Sequence, residues 1–405
     1  MPHPTPDIAA PDVAVIGAGA AGYAAALCLA QEGFRTVLLG TPAVAAPGRT
    51  VALFGGSVAF LRAIGAWEQV RAKAAPMDAM RIADVTDSLF AAPPLSFSAG
   101  ELGLDSFGCN IPNDDLVGVL AQLADGRDSL AVRPETVTDV AFRAGGPELT
   151  LASGARLRPR LVVGADGARS LTRQRAGIGA RTWSYPQAAL TGVFRHTLGH
   201  RNASTELHTR RGPFTLVPMP GRRSSLVWVT TPDDARRLAS LPPQELGRAV
   251  EAQAQSLLGE MEPEGACGVI PMRGLRAERF ASHCVALVGE AGHVFPPIGA
   301  QGLNLGLRDV AALRDCLVAA RDRGAGPDDP RALDAYDRSR RLDVAARTTV
   351  IDALNRALLS RNPAVDLLRG AGMLAMRGLK PLRRFAMREG LAPHLGLPEL
   401  MRAWR

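Results

Sequence analysis

The chain has 405 residues, 47% hydrophobic and 21% charged, which describes a globular protein long enough for two domains. Its 47 basic and 39 acidic residues leave a formal net charge of +8, but no dense basic run is interleaved with aromatics, which argues against nucleic-acid binding. Cys28, Cys109, Cys267, Cys284 and Cys316 are scattered without a CxxC pair, which argues against a zinc site or redox dithiol and for buried reduced thiols.

Lysine stands only at Lys73 and Lys380, so the basicity is almost wholly arginine. With so much Ala, Gly and Arg, a GC-rich genome is the plain reading of that charge, and attraction to anionic lipid or nucleic acid is the functional one. The opening MPHPTPDIAAPD lacks a basic n-region and does not read as a secretory signal. Residues 13–30 carry no charge, yet Gly17, Gly19 and Gly22 divide them into a short strand and a helix rather than a membrane span.

Residues 13–16, VAVI, form the first predicted strand, and GAGAAG follows at once. A helix rich in Ala and Leu is expected over 23–31, ended by Gly33, with a second strand over 34–39. Strand, glycine turn, helix and strand in this order suit a dinucleotide. Gly17 permits the tight turn, Gly19 lets backbone approach a pyrophosphate, and Gly22 lets the helix pack on the strand. The helix N-terminus offers N–H groups to phosphate. The acidic residue that normally closes the second strand is absent, because that strand ends in Leu39, Gly40 and Thr41. Thr41 is the remaining hydrogen-bonding group there.

Two stretches between the cofactor motifs, 80–98 and 183–271, contain several strand-like runs, including TLVP from Thr215 and SLVWVT from Ser225. They predict a second, mainly antiparallel sheet. Trp228 reads either as a core residue or as a wall of a substrate cavity.

Residues 160–173, RLVVGADGARSLTR, are again a buried strand ending in a polar turn. Asp166 can accept from a ribose or close an Asx-type turn, Gly167 allows close backbone approach, and Ser170 is placed to cap a helix. A third strand, CVALV, leads into 289–309, GEAGHVFPPIGAQGLNLGLRD. Prolines stiffen this segment and glycines bare its backbone before a helix begins, as suits backbone held against a ligand. His293 within it reads as a hydrogen-bonded structural residue, with no proton-transfer role.

Together these three segments resemble the group A flavoprotein monooxygenases, the aromatic hydroxylases typified by para-hydroxybenzoate hydroxylase. The likeness covers residues 10–390. RTVAL from Arg49, Ser57, Val58, Leu61, GAW from Gly65, FGCNIPN from Phe107 and LKPLRRFAMREG from Leu379 are similar to the ubiquinone-biosynthesis hydroxylases. The resemblance implies an α/β fold: a Rossmann-like FAD-binding domain, an inserted mainly antiparallel β-sheet substrate domain, and a C-terminal helical region. The expected FAD-binding domain is 1–75, 106–180 and 272–360, the substrate domain is 76–105 and 181–271, and an amphipathic helical segment fills 361–405.

The resemblance also assigns residues. Gly17, Gly19, Ala21, Gly22, Arg49, Asp166, Gly167, Gly289, Glu290, Pro297, Gly299, Gly302, Leu303 and Asn304 would hold FAD. Glu290 would lie by the ribityl or phosphate region. Pro296 and Pro297 would fix the loop beside the ring, with Pro296 and Trp228 toward the substrate. Gly302, Leu303 and Asn304 would open a helix facing the pyrimidine edge of the flavin. The chain departs from the family pattern at Glu290, usually Asp, and at Gly292, commonly Ala.

The implied reaction uses NAD(P)H as a transient co-substrate and O2, and hydroxylates the ring of a polyprenylated phenol through a flavin C4a-hydroperoxide. No catalytic residue is assigned and no metal is required. Alternatives are a group A monooxygenase of a soluble aromatic or secondary metabolite, and a non-catalytic flavoprotein scaffold of a quinone-synthesis assembly. A related halogenase is disfavoured, because SLVWVTTP lacks a WxWxIP pattern.

A lipid-soluble substrate raises the expectation of a cytoplasmic protein with a peripheral contact at the inner face of the cell membrane, and of a quinone-synthesis enzyme complex. Ala364, Leu367, Leu368, Ala371, Leu374 and Ala375 recur near helical spacing, and Arg361, Arg369, Arg377, Lys380, Arg383 and Arg384 surround or follow them. Such a helix either docks on the protein with a solvated basic face or lies on anionic lipid.

Overall fold

The computed structural model describes residues 11–42, 47–86, 93–296, 299–360, 362–391 and 396–404. The apolar strand Val13–Ile16 is buried at every residue, because parallel neighbours flank it and both faces are covered. It lies between Thr36–Leu39 and Leu161–Gly164, with Val13 opposite both Thr36 and Leu161. Leu130–Arg133 extends the sheet beyond Thr36–Leu39, and Val285–Leu287 extends it beyond Leu161–Gly164. This is the Rossmann-like sheet expected from the glycine motif.

The helix Ala20–Gln31 packs on this sheet. It begins three residues before the expected start, so Gly22 falls inside its first turn. The second strand begins at Thr36 rather than Phe34. Phe34 is buried, and its N–H bonds to Leu29 O to close the helix end.

The second sheet has nine strands among the described residues. Its spine is the 17-residue strand Ala180–His196, paired antiparallel with Gly268–Ala277 on one side and Arg223–Thr230 on the other. Gly212–Met219 and Ala203–Thr209 continue the antiparallel run. Ala79–Asp84 then joins Ala203–Thr209 in parallel and carries Leu95–Ser98 on its outer edge. His293–Val294, inside the third cofactor motif, pairs with Gly268–Ala277, so the flavin-loop segment is stitched to this sheet.

Alternation sorts the side chains of Arg223–Thr230 onto two faces. Leu226 and Trp228 pack with Phe194, Phe214, Leu238 and Leu246 in a core shared with helices Pro232–Ala239 and Pro243–Gln253. Val227 and Val229 face the other way, in a cluster with Ile351 and Phe295. Trp228 stands edge-on to Phe214 with ring centroids 5.3 Å apart. The structure therefore places Trp228 against the helix-covered core, on the opposite face of the strand from Val227, Val229 and Phe295.

Among the described residues, four helices follow before a final short turn: Gln301–Arg321, Pro330–Leu359, Pro363–Gly378 and Lys380–Leu391. Among the described residues no helix is long and apolar enough to cross a membrane.

Candidate functional site

The three glycines of the first motif are glycine for three different reasons. A Cβ on Gly17, whose φ is +117°, would lie 2.3 Å from Ala165 O. A Cβ on Gly22 would lie 1.7 Å from Gly17 O. Both are required by protein backbone. A Cβ on Gly19 would meet nothing within 4 Å, and Gly19 is exposed. Gly19 is also the N-cap of the helix Ala20–Gln31 and supplies no capping side chain. The first turn of that helix is thus left for an external acceptor.

The third motif is packed directly against the first. Gly289 has φ +59°, and a Cβ there would sit 3.3 Å from Ala21 Cβ. A Cβ on Gly306 would come within 3.2 Å of Gly289 Cα. Ala21, Gly289 and Gly306 are small because the helix Ala20–Gln31, the Gly289 turn and the helix Gln301–Arg321 converge there. The last of these helices is also uncapped, with Ala300 at φ 51° as its N-cap. Gly302 in its first turn is exposed, with open space where a side chain would be, and Gly299 before it has φ +65°.

Asp166 accepts from groups within the protein. Its Oδ1 accepts from the Ser170 hydroxyl at 2.5 Å, and its Oδ2 accepts from the Thr172 N–H at 2.9 Å and hydroxyl at 3.0 Å. Ser170 in turn caps the helix Leu171–Arg175 by accepting from Arg173 N, as expected. The carboxylate is held as the start of that helix, which is the Asx-turn reading. Gly167, with φ +77°, has open space beside it.

Asn304 is likewise committed to protein. Its Oδ1 accepts from Phe54 N at 2.9 Å and Ser57 Oγ at 2.7 Å, and its Nδ2 donates to Ala52 O and Ala300 O, both at 2.7 Å. It clamps the strand Thr50–Phe54 and the helix Gly55–Ala63 to the start of Gln301–Arg321. Leu303 is partly buried against the main core, and Pro296 is buried. Pro297 lies outside the described residues.

Glu290 meets Arg49 at 3.1 Å, with both side chains about half exposed. Beneath them is a buried polar chain that reading the sequence did not find. Asp309, fully buried, accepts from Gly289 N at 2.9 Å and is 2.7 Å from His293 Nε2. Its other oxygen accepts from Arg340 Nε at 2.7 Å. Arg340, Arg308 and Arg347 all reach Asp343. Burial alone would raise the Asp343 carboxyl, but these three guanidinium groups outweigh it and hold it below its ordinary value. Burial pushes Arg308 down to about 10. His293, buried, is held within this network by Asp309.

Arg173 was also missed. It donates to Ala291 O at 2.7 Å and to Ala168 O at 2.9 Å, tying the second motif to the third. Asp309, Arg173 and Arg340 all sit in helical patterns where an isolated charge looks like a solvated one. Only the distant partner reveals its purpose.

Parallel strands feeding a bare glycine turn, backed by a second uncapped helix and joined to a large antiparallel sheet, define a dinucleotide-binding protein with an added sheet. The family described as FAD binding domain matches residues 10–350. Ubiquinone hydroxylase UbiL of Rhodospirillum rubrum is 33% identical over 387 residues, covering 94% of this chain and 89% of the relative. The 3-demethoxyubiquinol 3-hydroxylase of Escherichia coli is 30% identical over 389 residues, covering 94% and 98% respectively. Among solved structures, p-nitrophenol 4-monooxygenase PnpA from Pseudomonas putida has the same fold, with a TM-score of 0.77 at 20% identity over 94% of this chain and 98% of that one.

The chain belongs to the FAD-binding-domain family and, within it, to the branch of the ubiquinone-biosynthesis hydroxylases. The residues present fit FAD: Gly19 and Gly302 leave open space at two uncapped helix N-termini, and Arg49 is exposed and paired with Glu290 next to the Gly289 turn.

Proposed function

We propose that this chain is an FAD-dependent monooxygenase that uses NAD(P)H and O2 to hydroxylate the aromatic ring of a polyprenylated phenol in ubiquinone biosynthesis. The observation that carries this reading is the convergence of the Gly17 turn, Ala165–Asp166 and the Gly289 turn on one glycine-lined cradle. The near full-length similarity to two named quinone-pathway hydroxylases supports the substrate class.

FAD, when bound, supplies the redox chemistry: reduction by NAD(P)H and activation of O2. The chain supplies place and field. Gly19 and the first turn of Ala20–Gln31 would receive the pyrophosphate. The first turn of Gln301–Arg321, at Gly302, would place a positive helix end toward negative charge on the reduced ring. Arg49 and Glu290 would close one rim. Asp166 and Asn304 act here as positioning residues, because protein donors and acceptors already occupy their polar atoms.

In this reading 1–75, 106–180 and 272–360 form the FAD-binding domain, and 76–105 with 181–271 the substrate domain. Phe295, Val227 and Val229, clustered between the flavin loop and the sheet, are the apolar wall nearest the substrate. A polyprenylated substrate also favours a peripheral contact with the inner face of the cell membrane and work within a quinone-synthesis complex.

The test has two parts. Freshly purified protein should show the visible bands of oxidised flavin and release FAD on denaturation. A strain lacking the gene should lose ubiquinone and accumulate a prenylated phenol. Colourless protein that fails to take up FAD would sink the reading. Intact ubiquinone with loss of a soluble aromatic product would move the substrate to the soluble class.

A further inference from the structure

The helix Pro363–Gly378 docks with its unexpected face. Its buried residues are Asp366, Gly370 and Met373. Asp366 is held by Arg210 at 2.7 Å and Arg369 at 3.1 Å, and Arg369 also reaches Asp84 at 2.9 Å. Met373 and Met387 pack with Leu95, Phe97 and Phe107, beside the edge strands of the large sheet. Arg383 pairs with Glu101 at 2.6 Å. The two C-terminal helices are thus fastened to the protein by ion pairs and methionines.

Their apolar stripe points away. Leu367, Leu368, Leu374, Leu379, Leu382 and Phe385 are all exposed, Leu368 to 73% and Phe385 to 61%. At 100° per residue Leu367, Leu368 and Leu374 share one side of the first helix, and Leu382 and Phe385 share one side of the second. A contiguous exposed apolar patch of this kind marks an interaction surface. Arg377, Lys380, Arg384 and Arg388 are exposed on the same helices and make no ion pair among the described residues. These exposed cations are not among those used for fastening.

We infer that the outward side of Pro363–Gly378 and Lys380–Leu391 is a docking surface for an anionic lipid bilayer. The leucines and Phe385 enter the headgroup boundary, and Arg377, Lys380, Arg384 and Arg388 meet lipid phosphates. A second copy of the chain fits less well. A two-fold contact sets a patch against itself, which would bring these unpaired cations together. The inference deepens the hydroxylase reading and rests on it for its purpose, because a polyprenylated phenol is dissolved in the bilayer.

The test is cosedimentation of the full chain with vesicles of equal parts phosphatidylglycerol and phosphatidylethanolamine, beside vesicles of phosphatidylcholine alone. Neither contains a phenol, so the result does not depend on the hydroxylase reading, which fails separately if flavin is absent. Binding to the anionic vesicles is expected, weaker in high salt. Each cation neutralised among Arg377→Gln, Lys380→Gln, Arg384→Gln and Arg388→Gln should lower affinity about fivefold. Leu368→Asp with Phe385→Asp should abolish binding.

Circular dichroism and the thermal midpoint should stay unchanged in both variants, since every altered side chain is exposed. No cosedimentation with anionic vesicles, equal binding to phosphatidylcholine, or unchanged binding by either variant would overturn the inference. So would a lipid-free dimer that Leu368→Asp with Phe385→Asp dissolves, which would assign the stripe to a second copy.

Discussion

Arg49 and Glu290 stand 241 residues apart in the chain and meet at 3.1 Å on the rim of the glycine cradle. The pair joins the segment before the strand Thr50–Phe54 to the Gly289 turn, and its half-exposed setting leaves both groups free to turn toward a ligand. Exposed ion pairs contribute at most about 1 kcal/mol to folding. Arg49→Gln should therefore leave the thermal midpoint nearly unchanged. It should weaken FAD by about tenfold or more, the scale of one hydrogen bond to a charged group. Flavin fluorescence titration measures this, and unchanged affinity would remove Arg49 from the site.

The glycines should separate by variant. Gly22→Ala drives a methyl into Gly17 O and should cost about 3 kcal/mol or more, seen as loss of soluble protein. Gly19→Ala meets only open space, so the fold should survive while FAD retention falls. Equal loss of stability in both would refute the assignment of Gly19 to the ligand. Supplying the absent acid by Gly40→Glu should not tighten FAD. Gly40 has φ +136°, and its Cβ would lie 3.2 Å from Ala18 N, so the variant carries backbone strain beside the cradle.

Asp309 holds the Gly289 turn from beneath. Asp309→Asn leaves Arg340 with Asp343 as its remaining carboxylate partner and should cost about 1–3 kcal/mol, the scale of a lost hydrogen bond to a charged group. Flavin retention should fall with it, because Gly289 N loses a charged acceptor. Ser57→Ala, which removes only one donor to Asn304, should be milder on both measures. Thermal melts with and without added FAD give both numbers.

Asp343 makes stability depend on acid. Its folded value lies below the ordinary 3.8, so its stabilising contribution is complete above that value and is lost as pH falls through the folded value. The thermal midpoint should decline across that acid window. Asp343→Asn should lower the midpoint at neutral pH and flatten the acid limb. An acid limb of unchanged slope in the variant would show that other carboxylates set it.

Burial raises the Cys28 and Cys109 thiols to about 12. Neither should react with an aromatic disulfide reagent at neutral pH in the folded protein, and both should react once it is unfolded. Rapid native labelling at either would contradict the packing described.

Local patterns carried much of this structure into view. The first motif was readable because its strand, turn and helix are contiguous, and steric need at Gly17 and Gly22 is met within the same unit or its nearest parallel neighbour. Trp228 was not, because its face depends on which side of the sheet receives helices Pro232–Ala239 and Pro243–Gln253. Asp166 and Asn304 look like ligand contacts in a motif, and only coordinates reveal that protein groups occupy their polar atoms. The stripe over 364–375 was read correctly as helical, but hydrophobicity does not say which side docks. Asp366 is inward because Arg210, more than 150 residues earlier, comes to meet it.

The order of the parallel strands has a consequence for how the chain is made. Val13–Ile16 leaves the ribosome first, yet one of its neighbours begins at Leu161, and the far side of that neighbour waits for Val285. Until residue 287 has emerged, the strand Leu161–Gly164 presents an apolar edge with unpaired peptide groups. A nascent chain stalled between those points is the species most in need of a chaperone, because that edge is still unpaired.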